Sequence, residues 1–169
     1  MAKPAIDTVR TRTITWQDPV ATAAVGAEMS GLGYVRAVQS GELPPPPIAV
    51  VMNFRIDELD EGRAVFIGEP GEEHYNPIGV VHGGYASTLL DSALGCAVHT
   101  TLPAGVGYTS QTLEVKYLRP MTRDTGAVRA EAEVVHRGRR TATSEARLTS
   151  AATGKLLATG TSTCLVLEG

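Results

Sequence analysis

The stretch formed by residues 82–99 constrains the fold more than any other part of the sequence. Its alanines and leucines recur at spacings of three and four residues, which predicts an α-helix with an apolar face. Apolar residues also flank that face, so we expect the helix to be buried on nearly all sides. Pro103 and Gly105 predict where it ends. Such a helix needs other elements around it, and predicted strands precede and follow it.

The rest of the chain from residue 46 is typical of a single antiparallel sheet. Two strands joined by the turn Asp60-Glu61-Gly62 are predicted before the helix, and four follow it. We predict these strands at residues 48–57, 63–69, 107–118, 126–136, 141–150 and 156–167. Three short breaks separate the last four, which predicts a consecutive antiparallel meander. The order β-β-α-β-β-β-β indicates the α+β class, with one helix against one sheet.

Residues 1–45 are predicted to be an N-terminal extension of a main domain at residues 46–169. A short strand or extended arm is predicted at residues 8–16. Asp18-Pro19 and Ser30 are typical helix starts, and Gly41 is a typical helix end. Prolines at positions 44–47 predict an extended segment, because proline lacks the N–H and fixes φ. We interpret that segment as a rigid connector, with a proline-rich docking motif as the alternative.

Composition narrows the classes of function. A net charge of -3, with 43% hydrophobic and 20% charged residues, is ordinary for a globular protein and gives no reason to expect a nucleic-acid partner. Cys96 and Cys164 form no metal or redox motif. No apolar run is typical of a signal peptide or a membrane span, so we expect a cytoplasmic protein without a membrane partner.

Two features of the predicted helix could carry chemistry. Gly83 and Gly84 stand at its start and leave first-turn N–H groups uncovered, which suits a polarised carbonyl oxygen; close packing is the alternative interpretation. Asp91 lies among apolar residues, where a carboxylate is costly unless it is paired or functional. The alternative is a partly exposed aspartate, or one bonded to nearby backbone.

The spacing of these two features has a geometric consequence. Asp91 follows Gly83 by eight residues, or about 12 Å along a helix axis at 1.5 Å per residue. One helix therefore cannot bring both groups to the same small reacting group. If both act on one substrate, two helices must run antiparallel across a twofold axis. This hypothesis requires a dimer with two composite sites.

The sequence resembles the PaaI-like (phenylacetate-degradation type) acyl-CoA thioesterases of the hotdog superfamily. The resemblance is carried by Asn76, His82-Gly83-Gly84 and Asp91, by the strand at residues 110–120, and by residues 152–160. It covers most of the chain from residue 46. It implies a hotdog fold, in which a sheet wraps one long helix, and hydrolysis of an acyl-CoA. It also implies a homodimer or homotetramer and no cofactor, since coenzyme A is part of the substrate.

The resemblance also implies roles for single residues. Asp91 corresponds to the catalytic carboxylate, a general base or a nucleophile, and Gly83 to the backbone donor to the thioester oxygen. Asn76 corresponds to a residue that orients the thioester or water, His82 to a positioning residue, and Ser110 to a serine that contacts the carboxylate or the water. Asn76 could instead only form a turn, and His82 only tie down its loop.

A basic cluster around the turn Arg137-Gly138-Arg139 is the predicted site for the phosphates of coenzyme A. The alternative interpretation is that these basic residues only form a solvated hairpin turn. Tyr75 and Tyr85 flank the central motif and either line an acyl tunnel or pack in the core. We expect an aromatic acyl group such as phenylacetyl or hydroxyphenylacetyl, with a medium-chain fatty acyl group as the alternative.

Other hotdog chemistries fit the sequence less well. Hotdog hydratases resemble a pattern with histidine five residues after the aspartate, where this chain has Cys96. A branch with a catalytic glutamate one helical turn away is not supported, because those positions are Ser87 and Gly95. A non-catalytic acyl-CoA sensor or carrier stays open as the alternative to hydrolysis.

Overall fold

A computed structural model describes residues 8–167 and confirms the predicted long helix, α4, at Gly83–His99. His82 caps its start, because the His82 Nδ1 accepts a hydrogen bond from the Gly84 N–H at 2.8 Å. The face that meets the sheet is fully buried at Leu89, Leu90 and Leu94. The predicted α+β hotdog fold is confirmed: one central helix lies against one antiparallel sheet, with short helices before it.

The sheet has six strands in the order β1-β2-β4-β5-β6-β3, and every neighbouring pair is antiparallel. The strands are β1 Phe54–Asp60, β2 Arg63–Gly68, β3 Gly107–Tyr117, β4 Val128–Arg137, β5 Thr141–Ser150 and β6 Leu156–Leu167. The predicted four-strand meander is wrong at its first step, since β3 pairs with β6 and forms an edge of the sheet. The connection from β3 to β4 is a crossing segment with a buried Met121 and a 3₁₀ turn at Arg123–Thr125, not a tight turn.

Within residues 8–167, three helices precede the sheet: α1 Pro19–Ala27, α2 Gly31–Ser40 and α3 Pro47–Met52. The predicted starts at Asp18 and Ser30 are confirmed, since both side chains accept hydrogen bonds from first-turn N–H groups. The predicted strand at residues 48–57 is wrong in its first half. β-Branched residues there suggested a strand, but Pro47 favours the first turn of a helix, and Asn53, at φ 54°, ends that helix.

The proline segment and the arm before α1 differ in part from the prediction. Pro46 is extended, as predicted, whereas Pro47 belongs to α3. Residues 8–16 form no regular strand. No helix within residues 8–167 is long and apolar enough to cross a membrane.

Helix α2 lies close to the C-terminal end of α4 and contacts β1. A Cβ atom added to Gly31 would overlap the His99 carbonyl oxygen, so the two backbones touch where only glycine fits. The Gly31 N–H donates to the Leu102 carbonyl at 2.9 Å, and the Gln39 Nε2 donates to the Asp57 carbonyl at 2.6 Å. The N-terminal segment is thereby placed over the half of α4 that follows Asp91.

Candidate active site

Asp91 and Ser110 form the centre of the candidate site. Asp91 is half-buried on α4, and the Ser110 hydroxyl on β3 donates a hydrogen bond to its Oδ1 at 3.1 Å. No hydrogen bond among residues 8–167 involves the Asp91 Oδ2. β3 bulges between Ser110 and Thr112, a distortion that often directs side chains at functional sites. One carboxylate oxygen is therefore held by the serine while the other stays available.

Asp91 and Ser110 line a cavity of about 390 Å³ that Cys96, His99 and Tyr108 also line. Burial, and then the charge of Asp91, raises the pKa of the Cys96 thiol to about 12. Burial raises the pKa of Tyr108 well above its usual value and lowers the pKa of His99. These three neighbours are uncharged at neutral pH, so none of them supplies a positive charge that would compensate the Asp91 carboxylate.

Gly83 provides the second chemical feature, an uncovered donor at the start of α4. Its N–H, at the first helical position, has no hydrogen-bond acceptor among the described residues. The Tyr117 ring from β3 covers the Gly83 Cα, since an added Cβ would lie 3.1 Å from the Tyr117 Cζ. The Tyr117 hydroxyl also lies 2.6 Å from the Ser87 Oγ. The N–H therefore lies beside a tyrosine that is itself held in place.

Asn76 and His82 shape the loop before α4. The Asn76 Oδ1 accepts hydrogen bonds from the N–H groups of Ile78 and Val80 at 3.1 and 3.3 Å, which is the turn-forming role considered as its alternative. The Asn76 Nδ2 donates no hydrogen bond to the described residues. His82, with Nδ1 as the acceptor of the helix cap, carries its proton on Nε2 when neutral.

The two halves of the predicted chemistry lie in different cavities of one subunit. Asp91 and Ser110 line the cavity beside α2, whereas Gly83 and Tyr117 line another of about 360 Å³ at the opposite end of β3. The structure thus brings Asp91 to Ser110 and does not bring either of them to Gly83. This separation agrees with the spacing of the two residues on one helix.

Comparison with known proteins identifies the family. Residues 78–157 match the thioesterase superfamily. Acyl-coenzyme A thioesterase 13 of Homo sapiens is 36% identical over 99 residues, which are 59% of this chain and 69% of that relative. The chain belongs to the thioesterase superfamily. The predicted membership and the prediction of a thioesterase are thereby confirmed at the level of the family.

Solved structures of thioesterase superfamily members show the same architecture. A mutant of the phenylacetic acid degradation protein PaaI from Thermus thermophilus is 32% identical, with a TM-score of 0.64 over 71% of this chain and 98% of that chain. A phenylacetic acid degradation-related protein from Ralstonia eutropha is 30% identical, with a TM-score of 0.71 over 78% of this chain and 98% of that chain. The PaaI-like resemblance is confirmed.

The predicted basic cluster around Gly138 lies at the turn between β4 and β5. Arg137 and Arg139 are exposed and make no ion pair within residues 8–167, while the Gly138 N–H closes the turn on the Thr141 carbonyl at 2.8 Å. The sheet register places this turn at the end of β3 that carries Ser110. No group of three His, Cys, Asp or Glu side chains within the described residues could hold a metal ion.

Some residues near the candidate site are not predicted by the sequence, and for two tyrosines the sequence left both a tunnel position and a core position open. It did not find Tyr117, Ser87 or the N-terminal residues near Asp91, because no local pattern marks residues that meet only after folding. Tyr85 is buried in the core with its hydroxyl unpaired among residues 8–167, so it packs and does not line the Asp91 cavity. The Tyr75 hydroxyl accepts the Arg123 N–H at 2.9 Å, which places Tyr75 outside that cavity as well.

Proposed function

We propose that this protein hydrolyses acyl-coenzyme A thioesters and that Asp91 is its catalytic carboxylate. The observation that carries the proposal is the half-buried Asp91, held by Ser110 at one oxygen and open to a cavity at the surface of α4. A carboxylate in that position is costly for folding and suited to catalysis. The name of the human relative, acyl-coenzyme A thioesterase 13, supplies the substrate class.

We infer that the complete site is made by two subunits. Gly83 and Asp91 are about 12 Å apart along α4, and they line different cavities. A second copy related by a twofold axis would supply the missing half of each site. The chain would then work as a dimer, and a tetramer formed from two dimers stays a further prediction.

The edge strand β3 is the surface that we propose for the dimer. Among the described residues it pairs only with β6, and most of its residues are exposed, including Leu113 at 39% and Tyr117 at 56%. Two identical edges pair antiparallel about a twofold axis. An axis midway between Ser110 and Tyr117 would place Tyr117 and Gly83 of the partner subunit beside Ser110 and Asp91.

In the proposed mechanism the partner's Gly83 N–H and the start of its α4 polarise the thioester carbonyl. Water attacks the carbonyl carbon while Asp91 accepts its proton, and the carbonyl electrons move to the oxygen beside Gly83. The intermediate then collapses, the carbon–sulfur bond breaks, and the thiolate takes up the proton that Asp91 had accepted. In a second route to the same products, the Asp91 carboxylate attacks the carbonyl carbon and expels the thiolate to give an acyl anhydride. Water then opens the anhydride, which restores Asp91 and releases the acid, while one proton of that water passes to the thiolate.

The remaining predicted residues have supporting roles in this proposal. The free Nδ2 of Asn76 orients the thioester or the water, while His82 holds the start of α4. Arg137 and Arg139, on either side of Gly138, bind the phosphates of coenzyme A by charge-assisted hydrogen bonds. Their exposure and their lack of ion pairs within residues 8–167 support that role.

Release of free thiol from a panel of acyl-CoAs tests the function. We expect turnover by the wild type and a loss of several orders of magnitude in kcat for Asp91→Asn, with little change in binding. A kcat for Asp91→Asn equal to that of the wild type would refute the role of Asp91. If neither protein releases thiol while acyl-CoAs raise the Tm of both, the protein is an acyl-CoA binder. Incorporation of oxygen-18 into Asp91 in a single turnover distinguishes a nucleophile from a base.

A further inference from the structure

The cavity beside Asp91 is covered by a part of the chain that lies outside the family match. Residues of α2, the proline segment and α3 form its roof, and strands β1 and β2 form the wall below. The matched family region begins only at residue 78. The aliphatic and aromatic residues of this lining include Tyr34, Val38, Pro45, Ile48, Ile56 and Phe66.

The roof is fastened to the rest of the fold at several points. Arg12 donates to the carbonyls of Val50 and Val51 on α3 at 2.8 and 3.1 Å. On α2, Gln39 bonds to β1, and Gly31 bonds to the segment that follows α4. A roof held by hydrogen bonds at both ends gives the cavity a defined size, which is what selection of a ligand by size requires.

The chemistry of the lining selects against a charged ligand. Cys96, His99 and Tyr108 are uncharged at neutral pH for the reasons given above, and Asp91 supplies a negative charge. Arg55, a cation in the lining, is paired with Glu69 at 3.2 Å. A carboxylate entering this cavity would be desolvated near Asp91, which is unfavourable.

The size of the cavity indicates an acyl group larger than one small ring. Its volume is about 390 Å³, whereas a cavity of roughly 150 Å³ suffices for benzene. Ile48 is 47% exposed although it is aliphatic, and it faces the same cavity as the half-buried Val38. These two side chains come from different helices of the roof, so each can be changed separately to alter the space that the cavity offers an acyl chain.

We propose that the roof formed by α2 and α3 is the acyl-selecting wall of the active site. It admits an uncharged, medium-length acyl group, and Val38 and Ile48 limit the length of that group. The proposal rests on the proposed hydrolysis at Asp91 and deepens it by naming the substrate class. The apolar lining excludes a charged group, and the volume of about 390 Å³ favours the medium-chain acyl group over the small aromatic acyl group expected from the sequence.

The test is the profile of kcat/KM over saturated acyl-CoAs from acetyl to palmitoyl, with succinyl-CoA as the charged counterpart of butyryl-CoA. We expect the wild type to prefer medium chains and to hydrolyse succinyl-CoA less well than butyryl-CoA. Val38→Phe should move the preferred length to shorter chains, with a loss of about tenfold or more for the longest good substrate relative to butyryl-CoA. Val38→Ala and Ile48→Ala should move the preferred length the other way.

Val51→Phe is the matched control, because Val51 lies on α3 and is 39% exposed but does not line the cavity. Its length profile should equal that of the wild type. Identical profiles for the wild type and all Val38 and Ile48 variants would overturn the role of the roof while leaving hydrolysis intact. Opposite shifts for Val38→Phe and Val38→Ala support the role of the roof even if one of them lowers stability. No turnover of any acyl-CoA by the wild type would overturn the function itself.

Discussion

At the scale of single residues, the amide of Asn76 has one atom engaged in the fold and another that is available to a substrate or water. Its Oδ1 holds the turn before α4, and its Nδ2 makes no hydrogen bond with the described residues. The turn alternative and the functional alternative are therefore compatible, because they use different atoms of one amide. The sequence predicted the residue, but the atom that serves each role depends on the folded loop.

Asn76→Asp tests this division. The aspartate keeps an oxygen acceptor for the turn and loses the N–H donor, so stability should stay within about 0.5 kcal/mol of the wild type. We expect kcat to fall roughly 10- to 100-fold because one hydrogen bond to the substrate or water is lost. Urea unfolding and thiol release measure the two effects, and Asn76→Ala should lower both. Unchanged kcat in Asn76→Asp would assign Asn76 to the turn alone.

His99 should make the stability of the protein depend on pH. Burial lowers the pKa of His99, so the unfolded chain binds a proton that the folded chain excludes. The contribution of neutral His99 to the free energy of unfolding is therefore fully present above the ordinary histidine pKa of about 6.5. This contribution is lost as the pH falls toward the lower pKa of the folded state. The slope from this group is at most about 1.4 kcal/mol per pH unit.

The measurement is the free energy of unfolding in urea at about pH 8 and about pH 5.5. The wild type should lose more stability between these values than His99→Gln, which has no imidazole to protonate. Equal losses for the two proteins would show that His99 makes no difference to the acid sensitivity.

At the scale of elements, the start of α4 is where the backbone itself would take part in catalysis. Gly83 occupies the first helical position, and His82 before it has the extended backbone, φ -61° and ψ 138°, that precedes proline readily. Gly83→Pro therefore removes the N–H while keeping the helix. We expect kcat to fall about 10²- to 10³-fold, the typical cost of one oxyanion donor.

Gly83→Ala is the control for this substitution, since it adds a Cβ against the same Tyr117 ring and keeps the N–H. It should retain most of the turnover of the wild type in the thiol-release assay. If the alanine and proline variants were equally active, the Gly83 N–H would have no part in the reaction.

The elements also show which features a sequence can predict. The long helix was predicted within one residue because its periodicity and its end signals are local. The sequence did not predict α3, because its β-branched residues favour a strand. In the structure, Pro47 occupies the first turn of a helix, and Asn53, with a left-handed backbone, ends it. The place of β3 at the sheet edge, and of Tyr117 over Gly83, depends on pairing with distant strands, which no local pattern encodes.

At the scale of the whole molecule, the proposed hydrolysis requires two subunits that share each active site. One subunit holds the carboxylate beside Ser110 in one cavity and the helix-start donor beside Tyr117 in another. The exposed edge β3 carries both Ser110 and Tyr117, so one twofold contact along it would join the two halves. The sequence predicted this requirement from the spacing on α4 alone.

Mixed dimers of two inactive variants distinguish a shared site from a site within one subunit. Asp91→Asn lacks the carboxylate and Gly83→Pro lacks the donor, so each homodimer should be nearly inactive. A mixed dimer contains one site with both defects and one intact site, which combines Gly83 of the first subunit with Asp91 of the second. Random assortment makes half of the dimers mixed, so about a quarter of the wild-type activity should return.

The measurement is thiol release after the two variants are unfolded together and refolded, with each variant refolded alone as the control. Recovery of about a quarter of the wild-type kcat is the result that the composite site predicts. No recovery, in a sample shown to contain mixed dimers, would mean that each subunit carries a complete site and would refute the shared site.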